Sequence, residues 1–190
     1  MKKLMLLLTI LTISVFTTAC INNFAVQELN NTASAFMDKG DAEAAICRLK
    51  ASLDLDNDVY QTHYNLAAAY NAAGRYDEAQ SEAYKTLELK PDLYDAYYIA
   101  AAAQDGKTYK FLDDMLMKNE ELDDETISSF VKQAEDTIEA YNMYLEKSPS
   151  APEKEQIAEK IEELQNKINQ YTGSLQNEQE KQKIQEEAGG

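Results

Sequence analysis

The sequence predicts an all-α fold of stacked helical hairpins, and three features of its 190 residues support that prediction. Apolar residues recur three and four positions apart, which is the spacing of one face of a helix. Glycine or proline stands at the ends of most of these stretches, as is typical where helices end. The pattern of residues 26–59 also returns in residues 60–93. A repeat of this length indicates an array in which each hairpin covers the apolar face of its neighbour.

The two copies agree at the positions that close helix packing requires. Alanines stand where the two helices of each copy are expected to cross, because a larger side chain there would separate them. Each first helix is followed by a glycine, for which the left-handed conformation that often ends a helix costs least. Tyr70 is expected to fill the space between helices, and Pro91 to end the second one. The predicted packing residues are Ala33, Gly40, Ala45, Ala67, Tyr70, Gly74, Ala79 and Pro91.

Residues 26–93 resemble two tetratricopeptide repeats, on the strength of Asn65-Leu66-Ala67, Gly74-Arg75-Tyr76 and the closing Pro91. The resemblance implies a short right-handed solenoid. Two departures, Ser52 and Thr86 where the family has alanine, are expected to loosen the array slightly.

The same resemblance implies a concave groove that binds peptides and is lined by the first helix of each unit. The candidate groove residues are Gln27, Asn30, Asn31, Ser34, Tyr64, Asn65, Ala68, Asn71, Asp95, Tyr98 and Ala102, of which Asn31, Tyr64, Asn65, Asn71 and Tyr98 are the leading ones. Members that bind the acidic tails of chaperones use lysine and arginine, whereas Asn30, Asp95 and Ile99 occupy the corresponding positions here. The groove is therefore expected to favour neutral or basic segments over acidic ones.

Residues 94–149 are interpreted as a degenerate third unit. Gln104-Asp105-Gly106 predicts an early helix break, and an inserted amphipathic helix is expected over 107–119. A long helix then follows as far as Pro149. Alternatively, residues 107–147 form one degenerate hairpin that stacks as a repeat.

Residues 150–171 predict one more helix, with an apolar stripe through Ile157, Ile161, Leu164, Ile168 and Tyr171. A helix that caps the exposed end of the array is the leading interpretation, and a dimeric coiled coil is the alternative. Residues 172–190 are rich in Gln, Glu and Lys without an apolar stripe, which predicts a polar mobile tail.

The first residues are typical of a bacterial export signal: two lysines, an apolar run from Leu4 to Phe16, and small residues before Cys20. Residues 1–19 are assigned to the signal peptide, and residues 20–25 to a lipidated N-terminus and linker. Ala19-Cys20 resembles the lipobox of bacterial lipoproteins, which implies a covalent lipid on Cys20 and attachment to an envelope membrane. The outer membrane is favoured where two membranes are present, because Ile21 replaces the Asp linked to inner-membrane retention. Ordinary cleavage would instead leave a periplasmic or secreted protein.

The composition argues against several classes of function. With 34 acidic and 18 basic residues the chain has a formal net charge of −16, or −18 once Lys2 and Lys3 leave with the signal, which disfavours nucleic acid as a partner. No cofactor, metal or catalytic residue is predicted. The single histidine, His63, is expected to pack in the core, and Cys47 to be a buried thiol.

The sequence is compatible with three functions. The leading hypothesis is a lipid-anchored scaffold that binds partner proteins within an envelope assembly. A soluble chaperone-like accessory subunit is the alternative, and an enzyme active on cell-wall glycans is the remote one. The sequence leaves the oligomeric state open.

Overall fold

The computed structural model describes residues 22–117 and 123–188, and the side chains as far as Ser174 and at Gln176. The predicted signal peptide (1–19) and Cys20 lie outside the described residues. Within these ranges the helix is the only regular secondary structure, which confirms the all-α class. The helices are α1 (residues 22–37), α2 (Ala42–Leu55), α3 (Tyr60–Ala72), α4 (Tyr76–Leu89), α5 (Asp95–Met117), α6 (Asp124–Lys147) and α7 (Lys154–Ala188).

The chain divides into two compact units between Pro91 and Asp92. In unit 1, α3 packs on both α4 and α2. Its core holds a set of alanines with almost no exposed surface together with larger apolar side chains. These buried residues are Ala33, Ala45, Leu49, Leu66, Ala67, Tyr70, Ala79 and Ala83. Since alanine lets helices approach closely, this core consists of short helices in tight contact.

The first helix of each hairpin in unit 1 ends in the same hydrogen-bonded turn. The N–H of Gly40 donates to Met37 O at 2.9 Å, and the N–H of Asp41 to Phe36 O at 2.9 Å. In the second hairpin, the N–H of Gly74 donates to Asn71 O and that of Arg75 to Tyr70 O. Both glycines have positive φ, 75° and 71°. This pattern is the Schellman motif, in which a left-handed glycine satisfies the last carbonyls of a helix.

Unit 2 differs from the predicted third repeat, because α5 runs without interruption from Asp95 to Met117. The break expected at Gln104-Asp105-Gly106 and the separate helix over 107–119 are wrong. Glycine inside a helix costs only about 1 kcal/mol relative to alanine. Buried contacts on both sides of Gly106 outweigh that cost. Thr108 Oγ1, for example, lies 2.8 Å from Thr137 Oγ1 of α6 and donates to the backbone of either helix.

Helix α7 packs on α6 through the predicted apolar stripe. Ile157, Leu164 and Ile168 are buried, and Ile161 and Tyr171 are partly buried. The stripe is thus covered by other residues of unit 2. Of the segment assigned to a mobile tail, residues 172–188 belong to helix α7. Its Gln, Glu and Lys residues are strong helix formers, so a helix there needs no apolar stripe to propagate.

Within the residues described, none of the helices has both the length and the apolar character to cross a membrane.

A buried acidic side chain joins all three helices of unit 2. Asp105 of α5 has 7% of its surface exposed. Its Oδ2 accepts hydrogen bonds from Tyr141 of α6 at 3.1 Å and from the ammonium of Lys160 of α7. Burial, together with the nearby Asp105 carboxylate, raises the pKa of Tyr141. The stem of Lys160 extends past Tyr109, with its Nζ 5.7 Å from the ring centroid. We conclude that this cluster fixes α7 in one register on the α5–α6 hairpin.

Exchange of the glycine that ends α3 tests the role of its backbone conformation. Gly74→Ala is expected to lower the free energy of unfolding by about 1 kcal/mol, because a left-handed backbone disfavours an L side chain. A methyl group at Gly74 would meet no atom within 4 Å, so crowding is not the cause. Gly74→Asn is expected to cost less, since Asn tolerates this conformation. Gly173→Ala is the control: it also meets no atom but lies inside α7, so it should stabilise slightly. Urea denaturation measures all three, and equal effects at Gly74 and Gly173 would contradict the assignment.

Removal of the Lys160 ammonium tests the buried cluster of unit 2. Lys160→Met is expected to lower the free energy of unfolding by about 2 kcal/mol, because Asp105 would remain buried without its counter-charge. This figure is below that of a fully buried pair, since the Lys160 side chain is 34% exposed. Asp105→Leu combined with Lys160→Met should recover most of the loss, because no charge is then buried. Lys167→Met is the matched control: it breaks the Lys167–Glu163 pair of the same helix, whose carboxylate side chain is 54% exposed rather than buried, and should cost under about 0.5 kcal/mol.

Candidate peptide-binding surface

The first helices of the two hairpins in unit 1 present polar residues at helical spacing. On α1, Gln27, Asn31 and Ser34 are exposed at intervals of four and three residues. On α3, the half-buried residues Tyr64, Ala68 and Asn71 follow the same intervals, with Asn65 beside them. We call these seven residues the amide face. The predicted groove residues of unit 1 therefore lie on one face of each helix, apart from Asn30.

Asn30 belongs to the interior of unit 1 rather than to a groove. Its amide nitrogen lies 2.9 Å from Val26 O, 3.0 Å from Ser52 Oγ and 2.9 Å from Thr62 Oγ1. Ser52 and Thr62, both fully buried, are also 3.2 Å apart. One amide thus joins α1, α2 and α3, and it has no spare donor for a peptide.

This network holds Asn65 in place at the amide face. The Asn65 amide nitrogen donates to Asn30 Oδ1 at 2.9 Å. The Asn65 oxygen has no hydrogen-bond partner among the described residues and is not fully buried. Asn65 is half-buried. It therefore offers a fixed, partly exposed acceptor suited to the N–H of an extended peptide.

The other amides of the face are also available for hydrogen bonds. Within the residues described, the side chains of Gln27, Asn31 and Asn71 have no hydrogen-bond partner in the protein. An amide group can both donate and accept, so it matches the alternating N–H and C=O groups of a peptide backbone. The amide face can thus bind a main chain without regard to its side-chain charge.

The helices that carry the amide face are almost uncharged. Helix α3 contains no Asp, Glu, Lys or Arg, and α1 contains only Glu28. Since anionic ligands are bound by cationic donors, this surface offers no charge-assisted hydrogen bond to a carboxylate. Asn30 stands where the resemblance to chaperone-binding members leads one to expect a cationic residue. Its side chain is moreover hydrogen-bonded within unit 1.

His63 of α3 is buried in unit 1, as the sequence predicts. It is 4% exposed, with Nδ1 2.6 Å from Glu82 Oε2 and Nε2 2.9 Å from Asn57 O. Both ring nitrogens therefore have partners within unit 1, which gives His63 a structural role.

Cys47 is exposed, whereas the sequence predicts a buried thiol. Ala45, Ile46 and Leu49 face the core from α2, so Cys47 lies on the opposite side of that helix.

The two serine and threonine departures from the repeat pattern do not leave polar groups unpaired. Thr86 is fully buried and donates to Glu82 O of the preceding turn at 2.8 Å, while Ser52 bonds Thr62 and Asn30. The expectation that both would loosen the array therefore overlooks these hydrogen bonds.

No cluster of three potential metal ligands occurs in the described part of the chain.

The groove residues predicted in unit 2 have other environments. Tyr98 is half-buried, with its ring centroid 5.3 Å from that of Tyr144 on α6. Tyr144 donates to Glu153 Oε2 at 3.1 Å, and burial, aided by this bond, raises its pKa to about 12. Asp95 is exposed, while Ile99 is buried. Tyr98 thus contributes to packing between α5 and α6.

Comparison with solved structures establishes the fold. The TPR domain of Arabidopsis OM64 has a TM-score of 0.56 at 12% sequence identity, and the second TPR domain of human RPAP3, solved with the HSP70 peptide SGPTIEEVD, has 0.55 at 14%. The TPR2B domain of yeast Sti1, solved with an Hsp70 peptide, has 0.53 at 15%. Each match covers 76% of this chain and 98% of the other. The fold is that of tetratricopeptide-repeat domains. No family model and no curated protein matches the sequence, so the tetratricopeptide-repeat assignment concerns the fold alone.

Proposed function

We propose that this chain is a lipid-anchored adaptor of a bacterial cell envelope, which binds an extended neutral or basic segment of a partner protein on the amide face. The observation that carries the proposal is the Asn30–Asn65 hydrogen bond, which holds a partly exposed amide on a nearly uncharged helix. A preorganised acceptor loses little conformational entropy when a peptide binds. Tetratricopeptide-repeat domains of human and yeast proteins have been solved with peptides, which supports a peptide-binding role for the same fold here.

The charge of the surface supports a neutral or basic ligand. The amide face offers no cation to an acidic tail, and the whole chain has a formal net charge of −16. An acidic peptide would meet long-range repulsion and find no compensating ion pair, whereas a basic peptide would be attracted. The backbone bonds would be the same for both.

The anchor part of the proposal is supported by the sequence around Cys20. Acylation of Cys20 would supply more than one acyl chain, which is what stable membrane attachment requires. With a strongly negative net charge, the protein would gain nothing from electrostatic attraction to anionic lipid. Attachment would therefore depend on Cys20.

Peptide binding is tested with two labelled peptides of equal length. One is SGPTIEEVD, and the other has its two Glu and its Asp replaced by Lys. The basic peptide is expected to bind at least roughly tenfold more tightly in fluorescence anisotropy, because only the acidic one is repelled. Asn65→Ala and Asn71→Ala should each weaken the basic peptide by about fivefold, through lost hydrogen bonds. Asn142→Ala is the control, since it removes an exposed amide from α6. Tighter binding of the acidic peptide, or an equal effect of Asn142→Ala, would contradict the proposal.

Lipidation is tested by palmitate labelling and detergent partitioning of the full chain expressed in bacteria. The wild-type protein is expected to incorporate label and enter the detergent phase, and Cys20→Ser to lose both properties, because only the thiol of Cys20 would be acylated. Cys47→Ser is the matched control, since Cys47 is the other of the two cysteines and is exposed. An unlabelled wild-type protein in the aqueous phase would refute the anchor and favour the soluble accessory subunit.

A further inference from the structure

The α5–α6 hairpin of unit 2 contains a pocket of about 220 Å³. It lies where the last turns of α5 meet the first turns of α6. Its lining residues are Phe111, Asp114, Met115, Asp123, Glu125, Thr126 and Ser129. None of them belongs to the amide face, so the pocket is a separate site.

The pocket has an apolar floor and an acidic rim. Met115 is 3% exposed and Phe111 is half-buried, which places these two side chains at the bottom. Asp114, Asp123 and Glu125 are exposed, and none of the lining residues that the structure describes is basic. One rim carboxylate has a structural task, because Asp123 Oδ1 accepts from the N–H of Thr126 at 2.7 Å and caps α6.

Apolar surface continues beside the pocket at the end of α5. Leu116 is 54% exposed and Met117 is 79% exposed. Methionine is flexible and polarisable, and it is common on surfaces that adapt to a partner. Exposed apolar side chains next to a pocket with a charged rim are typical of protein interaction sites.

The size of the pocket restricts what it can hold. Pockets that enclose a drug-sized molecule measure roughly 300–1,000 Å³, so this one is too small for such a ligand. It is large enough for one leucine- or phenylalanine-sized side chain. In protein interfaces, single apolar side chains seated in pockets provide much of the affinity.

The rim charge selects the sequence around that side chain. Glu125 and Asp114 carry carboxylates with no ion-pair partner among the described residues. Lysine or arginine residues flanking an apolar anchor would pair with them, while acidic flanks would be repelled. We infer that this pocket is a second docking site, which receives one large apolar side chain from a lysine- or arginine-rich segment of a partner protein. This goes beyond the proposed function, since it requires neither the amide face nor the lipid anchor.

The test uses the chain from residue 21 onward and a labelled peptide of sequence Gly-Lys-Lys-Phe-Lys-Lys-Gly. Two companion peptides carry Ser in place of Phe, or Glu in place of every Lys. The Phe peptide is expected to bind at least about tenfold more tightly than either companion, because the site needs both the anchor and its flanks. Equal binding of the Phe and Ser peptides would show charge attraction alone and overturn the inference. So would the absence of Phe-peptide binding at millimolar concentration.

Protein variants locate the binding to the pocket. Asp114→Asn with Glu125→Gln removes two rim charges and is expected to weaken the Phe peptide by about tenfold. Ser129→Phe fills the pocket from an exposed rim position and should weaken binding at least as much. The matched control, Glu135→Gln with Asp136→Asn, removes two exposed charges of α6 outside the pocket and should change binding less than about twofold. An equal loss in the control would overturn the inference.

Two further measurements separate this inference from other outcomes. Circular dichroism and thermal unfolding of each variant establish that a loss of binding is not a loss of fold. Asn65→Ala, which impairs the amide face under the proposed function, should weaken the Phe and Ser peptides alike and leave the ratio of their affinities unchanged, because both offer that face the same backbone and charge. If Asn65→Ala abolishes the difference between the two peptides, the Phe side chain binds at the amide face and the pocket inference fails.

Discussion

The single amide of Asn30 holds the polar interior of unit 1 together, and the candidate site depends on it. Even a partly buried amide is costly unless its hydrogen bonds are made, and here α1, α2 and α3 supply the partners of Asn30. Ser52 of α2 and Thr62 of α3 accept from the nitrogen, while Asn65 of α3 donates to the oxygen. The arrangement therefore couples the position of α1 to that of α3, and it also orients the residue best placed to bind a peptide backbone. Under the proposed function, stability and peptide binding would depend on the same hydrogen bonds.

In unit 2, polar contacts fix the alignment of longer helices. Helices of 23 and 24 residues must keep one register along their whole length. A purely apolar seam specifies register weakly, whereas a polar pair is satisfied only in one alignment. Thr108 with Thr137 fixes α5 against α6, and Asp105 with Tyr141 and Lys160 extends this to α7. Because Oδ1 of Asp105 has no hydrogen-bond partner, this cluster is costly to bury. We therefore interpret the cluster as selecting one helix register rather than as raising the stability of the fold.

Features that depend on residues close together in the sequence were predicted well. Features that depend on contacts between distant residues were not. The turns at Gly40 and Gly74 were predictable because a left-handed glycine ends a helix through bonds within a few residues. Gly106 misled the same reasoning, because the contacts that keep α5 helical come from α6 and α7. The end of α7 was missed for a different reason, since low hydrophobicity predicts disorder even where helix propensity is high. For the site, the helical spacing of the amide face could be predicted. The bond between Asn30 and Asn65 joins residues far apart in sequence, and it could not.

The two proposed surfaces would recognise different features of a partner, and the overall charge would act on both. A face of amides on nearly uncharged helices would bind a peptide backbone, which any sequence possesses, and so would discriminate little by itself. The acidic pocket would discriminate by the side chain that it receives and by the charges beside that side chain. A formal net charge of −16 attracts basic segments from a distance and raises the rate at which they reach either surface.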